Sequence, residues 1–154
     1  MFTTAHGYFE SRLWWYAEHE IKVVFVGRRD RFSKGLLDAI KETEEKTKEL
    51  DKLTLYVCTD YSGREQVVEA CIKCAKNNNG EITTEEVNEI IESELPSVDL
   101  IMRTGGRHRL SDFMLWQAEF SEICFTDVLF PDINDELLDE AWENQKNSIK
   151  NFGK

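Results

Sequence analysis

Positive charge is scarce in this sequence. Its 154 residues hold 19 lysines and arginines against 30 aspartates and glutamates, which gives a formal net charge of −11. The electrostatic field of such a chain repels nucleic acid and anionic lipid surfaces, so we do not expect this protein to bind nucleic acid. Because physiological salt screens charges over about 8 Å, a local cluster of cations could still bind a small anion.

Long apolar runs are also missing, and the chain has only two prolines and four cysteines, of which Cys71 and Cys74 form a single C-x-x-C pair. No run approaches the roughly 20 residues that cross a bilayer, so any membrane contact is expected to be peripheral. The two prolines, the 41% hydrophobic content and the absence of low-complexity tracts favour one domain over residues 1–154. The four cysteines lie in apolar or helical contexts without a second metal-ligand pair or a secretory leader pattern, which predicts a reduced, cytoplasmic protein.

Predicted helices alternate with predicted strands along the chain. The helices cover residues 8–20, 33–50, 65–76, 84–94 and 111–122, and the strands cover residues 21–27, 53–59, 98–102 and 123–125. This order indicates an α/β fold with a mainly parallel sheet flanked by helices. In the helix at 65–76 the apolar spacing predicts one buried face, formed by Val67, Val68, Cys71, Ile72 and Ala75. Sites in such folds form beyond the carboxyl ends of the strands, here residues 27–31, 60–64 and 103–111.

The segment 103–111, with the sequence RTGGRHRLS, concentrates cations in this acidic chain. Glycines allow positive φ, arginine forks match phosphate oxygens, and Ser111 would stand at the start of the predicted helix, where anions are favoured. These features predict phosphate recognition. The alternatives are a solvated basic turn, or an RGG-type RNA segment, which is disfavoured because the motif is single and lies between two ordered elements.

Glu122 lies eleven residues after Ser111, at the end of the same predicted helix. A carboxylate in that position could help to bind Mg²⁺, which takes one or two protein carboxylates together with substrate phosphates. The alternative is a solvated charge or an ion-pair partner.

Several segments resemble the C-terminal signature of cis-prenyltransferases of the undecaprenyl diphosphate synthase type. They are DLIMRTGG (99–106), HRLSDFMLWQ (108–117), SE (121–122) and FTDVLFPD (125–132). Upstream, residues 23–27 resemble the family's R-x-R-F-I-G strand and residues 53–64 its L-T-L-N-I-A-x-N-Y-G-G-R segment. The resemblance covers nearly the whole chain.

The resemblance implies roles for individual residues. The diphosphate of isopentenyl diphosphate would be held by Arg103, Arg109 and Ser111, with Gly105 and Gly106 in the same loop. Glu122 would help to position Mg²⁺, and His108 is a candidate catalytic contributor. The implied reaction is ionisation of an allylic prenyl diphosphate, attack by the isopentenyl double bond and loss of a proton. Leu13, Trp14 and Val24 are candidates for lining the product tunnel, with ordinary core packing as the alternative.

The sequence departs from the family at the start of the fold. Nothing matches the M-D-G-N-G-R-W segment or the first two strands, so a truncated fold with exposed apolar surface is expected. Arg107 replaces a glutamate, and Asp60 and Ser62 replace Asn and Gly.

Two interpretations of the function stay open: the acceptor half of an enzyme, inactive alone, or a non-catalytic partner subunit. Either implies a homodimer or heterodimer, with residues 121–131 and Trp142 as the expected interface, whereas residues 150–153 only weakly resemble the family's R-R-F-G tail.

Overall fold

The computed structural model describes residues 3–148, with side chains from residue 11 onwards. It divides into two compact units, residues 1–61 and 62–154. The helices are α1 (Thr3–Glu18), α2 (Lys34–Thr47), α3 (Gly63–Asn77), α4 (Thr84–Glu94) and α5 (Asp135–Lys146), with a short 3₁₀ turn at Phe130–Asp132. The strands are β1 (Ile21–Val26), β2 (Leu53–Cys58), β3 (Leu100–Arg103) and β4 (Glu122–Phe125). None of the described helices is long and apolar enough to span a bilayer.

The first unit is built on a parallel pair of strands, β1 and β2, whose register runs from Ile21 beside Leu53 to Val26 beside Cys58. Alternate β1 side chains, those of Ile21, Val23 and Phe25, are buried against α1 and α2. The period of two along a strand puts these three on one face. The predicted strands at 21–27 and 53–59 are confirmed to within one residue.

Side chains of α2 cover the outer edge of β1. The Val23 N–H donates to Thr47 Oγ1 at 3.0 Å, and the Phe25 N–H donates to Glu44 Oε1 at 3.0 Å. Arg29 completes the cover, since its Nη2 donates to the Phe25 carbonyl and to the Glu44 carboxylate. The N–H groups of these two residues and the Phe25 carbonyl, which would otherwise lie on a free sheet edge, are therefore satisfied within the unit.

The second unit combines the helices α3 and α4, which share one apolar core, with a second parallel pair, β3 and β4, whose register runs from Leu100 beside Glu122 to Arg103 beside Phe125. Ser62 and Thr83 cap the two helices, each accepting a hydrogen bond from the N–H three residues on. The predicted α/β class with parallel strands is confirmed. In the described part of the chain the strands form two separate pairs, β1–β2 and β3–β4.

The predicted helix at 111–122 is wrong. Residues 111–120 form successive turns, and β4 begins at Glu122. Ser111, Asp112 and Met114 have φ of 54°, 66° and 49°, which no α-helix tolerates. Tertiary contacts explain the difference: Asp112 bonds to the start of α3, and the buried Gln117 donates to Gln66 at 2.9 Å. Ser111 therefore does not stand at a helix N-terminus.

Two helical details also differ from the sequence analysis. The buried side of α3 holds Gln66, Ala70 and Cys74, whereas Val68 and Ile72 of the predicted buried face are 58% and 49% exposed. The final helix α5 was not predicted, although Asn134 caps it and Ala141 is buried.

Candidate functional site

The loop 104–111 leaves the carboxyl end of β3 and is fastened at its start by backbone hydrogen bonds. The Gly105 N–H donates to Val128 O at 2.9 Å and the Gly106 N–H to Thr126 O at 3.0 Å. Both glycines have positive φ, 81° and 68°. A Cβ on Gly106 would lie 2.7 Å from Asp127 Oδ1, so a larger residue would have to displace the Asp127 side chain and would be strained at this φ. Because both N–H groups are occupied, the glycines shape the loop and do not donate to a ligand.

Arg103 fastens the other end of the loop. Its Nη1 donates to Ser111 Oγ at 2.9 Å and to the Arg109 carbonyl. The structure thus brings Arg103 and Ser111 together, as the sequence analysis expected. Since Ser111 Oγ accepts from Arg103, its own O–H remains a donor that can point at a bound anion.

Three cationic or titratable side chains project from the middle of the loop. Arg107, His108 and Arg109 are all exposed, and within residues 11–148 neither arginine forms an ion pair. The His108 ring stacks on Phe125, with centroids 4.9 Å apart and planes 8° from parallel. The stack fixes the imidazole plane beside the two free guanidinium groups. This combination is a cationic surface suited to phosphate oxygens.

Glu122 lies apart from this loop. It is the first residue of β4, beside Leu100, whereas Arg103 is beside Phe125 at the other end of the strand pair. Three residues of a parallel strand correspond to about 10 Å. The Glu122 carboxylate accepts a hydrogen bond from Ser148 Oγ.

The described residues do not fit a magnesium site shared by Glu122 and the loop. Among residues 11–148 there is no group of three or more histidine, cysteine or acidic side chains that could hold a metal ion. A lone carboxylate can bind Mg²⁺ only together with substrate oxygens, and those would have to span the length of the strand pair. The magnesium role of Glu122 stays a prediction.

The start of α3 carries a cluster that sequence reasoning missed. The Asp112 carboxylate accepts a hydrogen bond from Ser62 Oγ at 2.5 Å and one from the Arg64 N–H at 3.2 Å. The Asp112 carbonyl accepts from the Gly63 N–H at 2.8 Å. Ser62 and Glu65 do show the capping pattern S-x-x-E, but nothing local links them to a residue 50 positions away.

The corresponding loops of the first unit neutralise their own charges. Arg28 binds Asp30, and this hydrogen bond holds the pKa of the Asp30 carboxyl below its usual value. Arg31 donates to both carboxylate oxygens of Asp60, from Nε to Oδ2 and from Nη2 to Oδ1. Asp60, one of the departures from the family pattern, is therefore an ion-pair partner. This end of the first sheet has no comparable set of free cations among the described side chains.

The tunnel candidates differ in their exposure. Leu13 and Val24 are half-buried, and Trp14 is 64% exposed. Their role in lining a product tunnel stays a prediction.

Comparison with known proteins identifies the family. The family model described as "Putative undecaprenyl diphosphate synthase" matches residues 1–153. The chain is 34% identical over 136 residues to the isoprenyl transferase of Fusobacterium nucleatum, covering 88% of this chain and 59% of the relative. It is 35% identical to dehydrodolichyl diphosphate synthase 3 of Arabidopsis thaliana, covering 95% and 51%. The chain thus spans between half and three fifths of these relatives.

Solved structures agree with the sequence relatives. A probable undecaprenyl diphosphate synthase from Campylobacter jejuni superposes with a TM-score of 0.90 at 27% identity, covering 99% of this chain and 73% of that one. Lavandulyl diphosphate synthase from Lavandula x intermedia, solved with dimethylallyl diphosphate, gives 0.83 at 30% identity, covering 97% and 68%. These matches confirm the truncated undecaprenyl diphosphate synthase-like fold. The chain belongs to the undecaprenyl diphosphate synthase family of isoprenyl transferases.

Proposed function

We propose that the loop 104–111 binds the diphosphate of isopentenyl diphosphate, so that this chain carries the acceptor half of a cis-prenyl transfer. Within the part of the chain that the structure describes, the supporting observation is a pair of exposed arginines without ion pairs, Arg107 and Arg109, next to the Arg103–Ser111 hydrogen bond. In a chain of net charge −11, free guanidinium groups at the carboxyl end of a strand are where a small anion finds complementary charge.

Each side chain of the loop has a distinct task in this proposal. Arg109 and Arg107 neutralise the diphosphate, and the Ser111 hydroxyl donates to one of its oxygens. Arg103 holds the loop in shape and adds its charge to the site. His108, held against Phe125, can donate a ring N–H to a phosphate oxygen.

The reaction proposed for the whole enzyme joins isopentenyl diphosphate to an allylic prenyl diphosphate and yields a polyprenyl diphosphate with a new cis double bond. No described residue is assigned to the allylic diphosphate, so we expect no condensation by this chain alone. One relative of Blochmanniella floridana, 35% identical over 144 residues, is named a farnesyl-diphosphate-specific undecaprenyl diphosphate synthase. Farnesyl diphosphate is therefore the allylic substrate to test first.

Mg²⁺ enters this proposal with the substrate diphosphate, whose oxygens are its preferred ligands. When bound, the metal would neutralise phosphate charge. Because the described residues do not bring Glu122 to the loop, no step assigned to this chain depends on that carboxylate.

Titration calorimetry with isopentenyl diphosphate, in Mg²⁺ and in EDTA, tests the proposal. Arg109→Ala should weaken binding about tenfold, because a charge-assisted hydrogen bond contributes roughly 1.5–3 kcal/mol. Lys41→Ala, an exposed cation in the middle of α2, is the control and should have no effect. Equal affinities for Arg109→Ala and the unmodified chain would refute the proposal.

A second candidate function is a non-catalytic partner subunit, favoured by exposed apolar side chains in the second unit. Leu129 and Phe130 are 60% and 78% exposed, and Trp142 is 51% exposed. These residues fall in the region where the sequence analysis expected a dimer interface. A chain that associates but does not bind isopentenyl diphosphate would support this alternative, and sedimentation velocity combined with the calorimetry separates the two.

A further inference from the structure

We infer that Asp112 is a positioning residue for the anion-binding loop, acting through a latch at the start of α3. The latch consists of Ser62, Gly63, Arg64 and Asp112. This inference rests on the proposed function for its effect on substrate, but its structural content can be tested without substrate.

Asp112 makes three contacts with consecutive residues of α3 and its cap. Its carboxylate accepts from Ser62 Oγ and from the Arg64 N–H, and its carbonyl accepts from the Gly63 N–H at 2.8 Å. The Arg64 Nε lies 3.8 Å from the same carboxylate. These bonds satisfy two of the first N–H groups of α3, which have no partner within the helix. The helix start and the turn at 111–114 therefore form one bonded unit.

The backbone of the loop needs such a restraint. Ser111 and Asp112 both have positive φ, 54° and 66°, in the left-handed region that residues other than glycine seldom adopt. Sparsely populated conformations persist only where the surrounding structure holds them. Asp112 is the member of this pair with three long-range bonds, so it is the residue that keeps the turn in this conformation.

The turn at 111–114 also determines where the Ser111 side chain lies. The Ser111 hydroxyl accepts from Arg103 Nη1 at 2.9 Å, and the same nitrogen donates to the Arg109 carbonyl. If residues 111 and 112 relaxed to negative φ, the Ser111 side chain would leave Arg103. The free end of the 104–111 loop would then lose its attachment, and the arginines would be presented in many orientations instead of one.

Close packing supports the latch from the α3 side. Gly63 is buried, and a Cβ there would lie 3.0 Å from the Asp112 carbonyl oxygen and 3.1 Å from Leu115 Cγ. Gln117 adds a second tie through its hydrogen bond to Gln66, at 2.9 Å, in the first turn of α3. The segment 111–117 is thus attached to α3 at two points.

The test measures amide exchange and isopentenyl diphosphate affinity in the same variants. Asp112→Ala and Ser62→Ala should each accelerate exchange at Gly63, Arg64, Ser111 and Asp112, and each should weaken affinity about tenfold. The double variant should be no worse than Asp112→Ala, because both changes break the same latch. Asp112→Asn should restore most of the affinity, since its amide can accept from Arg64 and donate to Ser62. Glu119→Ala, an exposed acid of the same turns, is the matched control.

The outcomes separate the latch from the proposed function. Unchanged exchange at Ser111 and unchanged affinity in Asp112→Ala would overturn the inference, even if the unmodified chain binds isopentenyl diphosphate. If the unmodified chain does not bind it, the proposed function fails, and exchange at residues 63, 64, 111 and 112 alone decides whether the latch exists. Should Asp112→Ala not fold, Ser62→Ala and Asp112→Asn give the same comparison with smaller changes.

Discussion

Single residues set the shape of the loop, and Gly106 is the clearest case. We expect Gly106→Ala to lower the free energy of unfolding by roughly 2–3 kcal/mol, because alanine is strained at φ 68° and its Cβ would lie 2.7 Å from Asp127 Oδ1. Urea denaturation measures the change. Gly105→Ala is the matched control, since it has the same sign of φ but no atom nearer than 4.0 Å, and should cost about 1–2 kcal/mol. Equal losses would mean that crowding by Asp127 is unimportant.

For Glu122, the role predicted from the sequence and the observed position disagree: the sequence predicts a Mg²⁺ ligand, whereas the structure places the residue away from the anion-binding loop. Because its carboxylate accepts from Ser148 and lies three register positions from Arg103, we expect Glu122→Gln to leave the Mg²⁺ dependence of isopentenyl diphosphate binding unchanged. Calorimetry at several Mg²⁺ concentrations measures this. A variant that binds equally in Mg²⁺ and in EDTA, while the unmodified chain requires Mg²⁺, would restore the predicted metal role.

Part of the candidate site could be predicted from the sequence. The composition of 103–111 is a local property, so Arg103, Ser111 and the glycines could be predicted to share one loop. The contact between Ser62 and Asp112 could not, because it depends on how the chain brings residues 50 positions apart together. The hydrogen bonds of the Gly105 and Gly106 N–H groups could not be predicted either, because their acceptors, Val128 and Thr126, lie beyond the next strand.

At the scale of secondary-structure elements, the attachment of α2 to β1 yields a stability prediction. Glu44→Ala removes the acceptor of the part-buried Phe25 N–H and one partner of Arg29, and should lower the free energy of unfolding by about 1–3 kcal/mol. Chemical denaturation provides the measurement.

Glu45→Ala is the matched control for that variant. Its carboxylate pairs with Lys48 on the exposed side of the same helix, and exposed pairs contribute little to stability because solvent screens them. If both variants lost equal stability, the cover over the β1 edge would have no energetic role.

Elements were predictable where local pattern and tertiary contacts agree. β2 is a continuous run of β-branched and apolar residues, β1 is interrupted only by Lys22, and the ends of α4 follow from Thr83 and Pro96. The segment 111–122 has helical apolar spacing, but Asp112 and Gln117 bond outside the segment, and these contacts outweigh the propensity. For α5 the signal was present, in the cap at Asn134 and the spacing of Leu137 and Ala141.

For the whole molecule, the exposed apolar side chains predict association through the second unit. We expect Phe130→Asp to shift the sedimentation coefficient of the chain towards that of a monomer, because burial of a phenylalanine contributes roughly 1.5–3 kcal/mol to an interface. Leu53→Asp, at a 56% exposed leucine of the first unit, is the control and should leave the assembly intact. The opposite pattern would place the contact on the first unit.

The closed edge of β1 also limits how copies of this protein can add to one another by strand pairing. With the Val23 and Phe25 N–H groups bonded to Thr47 and Glu44, the β1 edge of the first sheet cannot offer these two donors to another strand. Because growth of a cross-β ladder needs two open edges on every sheet, this cover over β1 opposes the propagation of strand pairing through the first sheet.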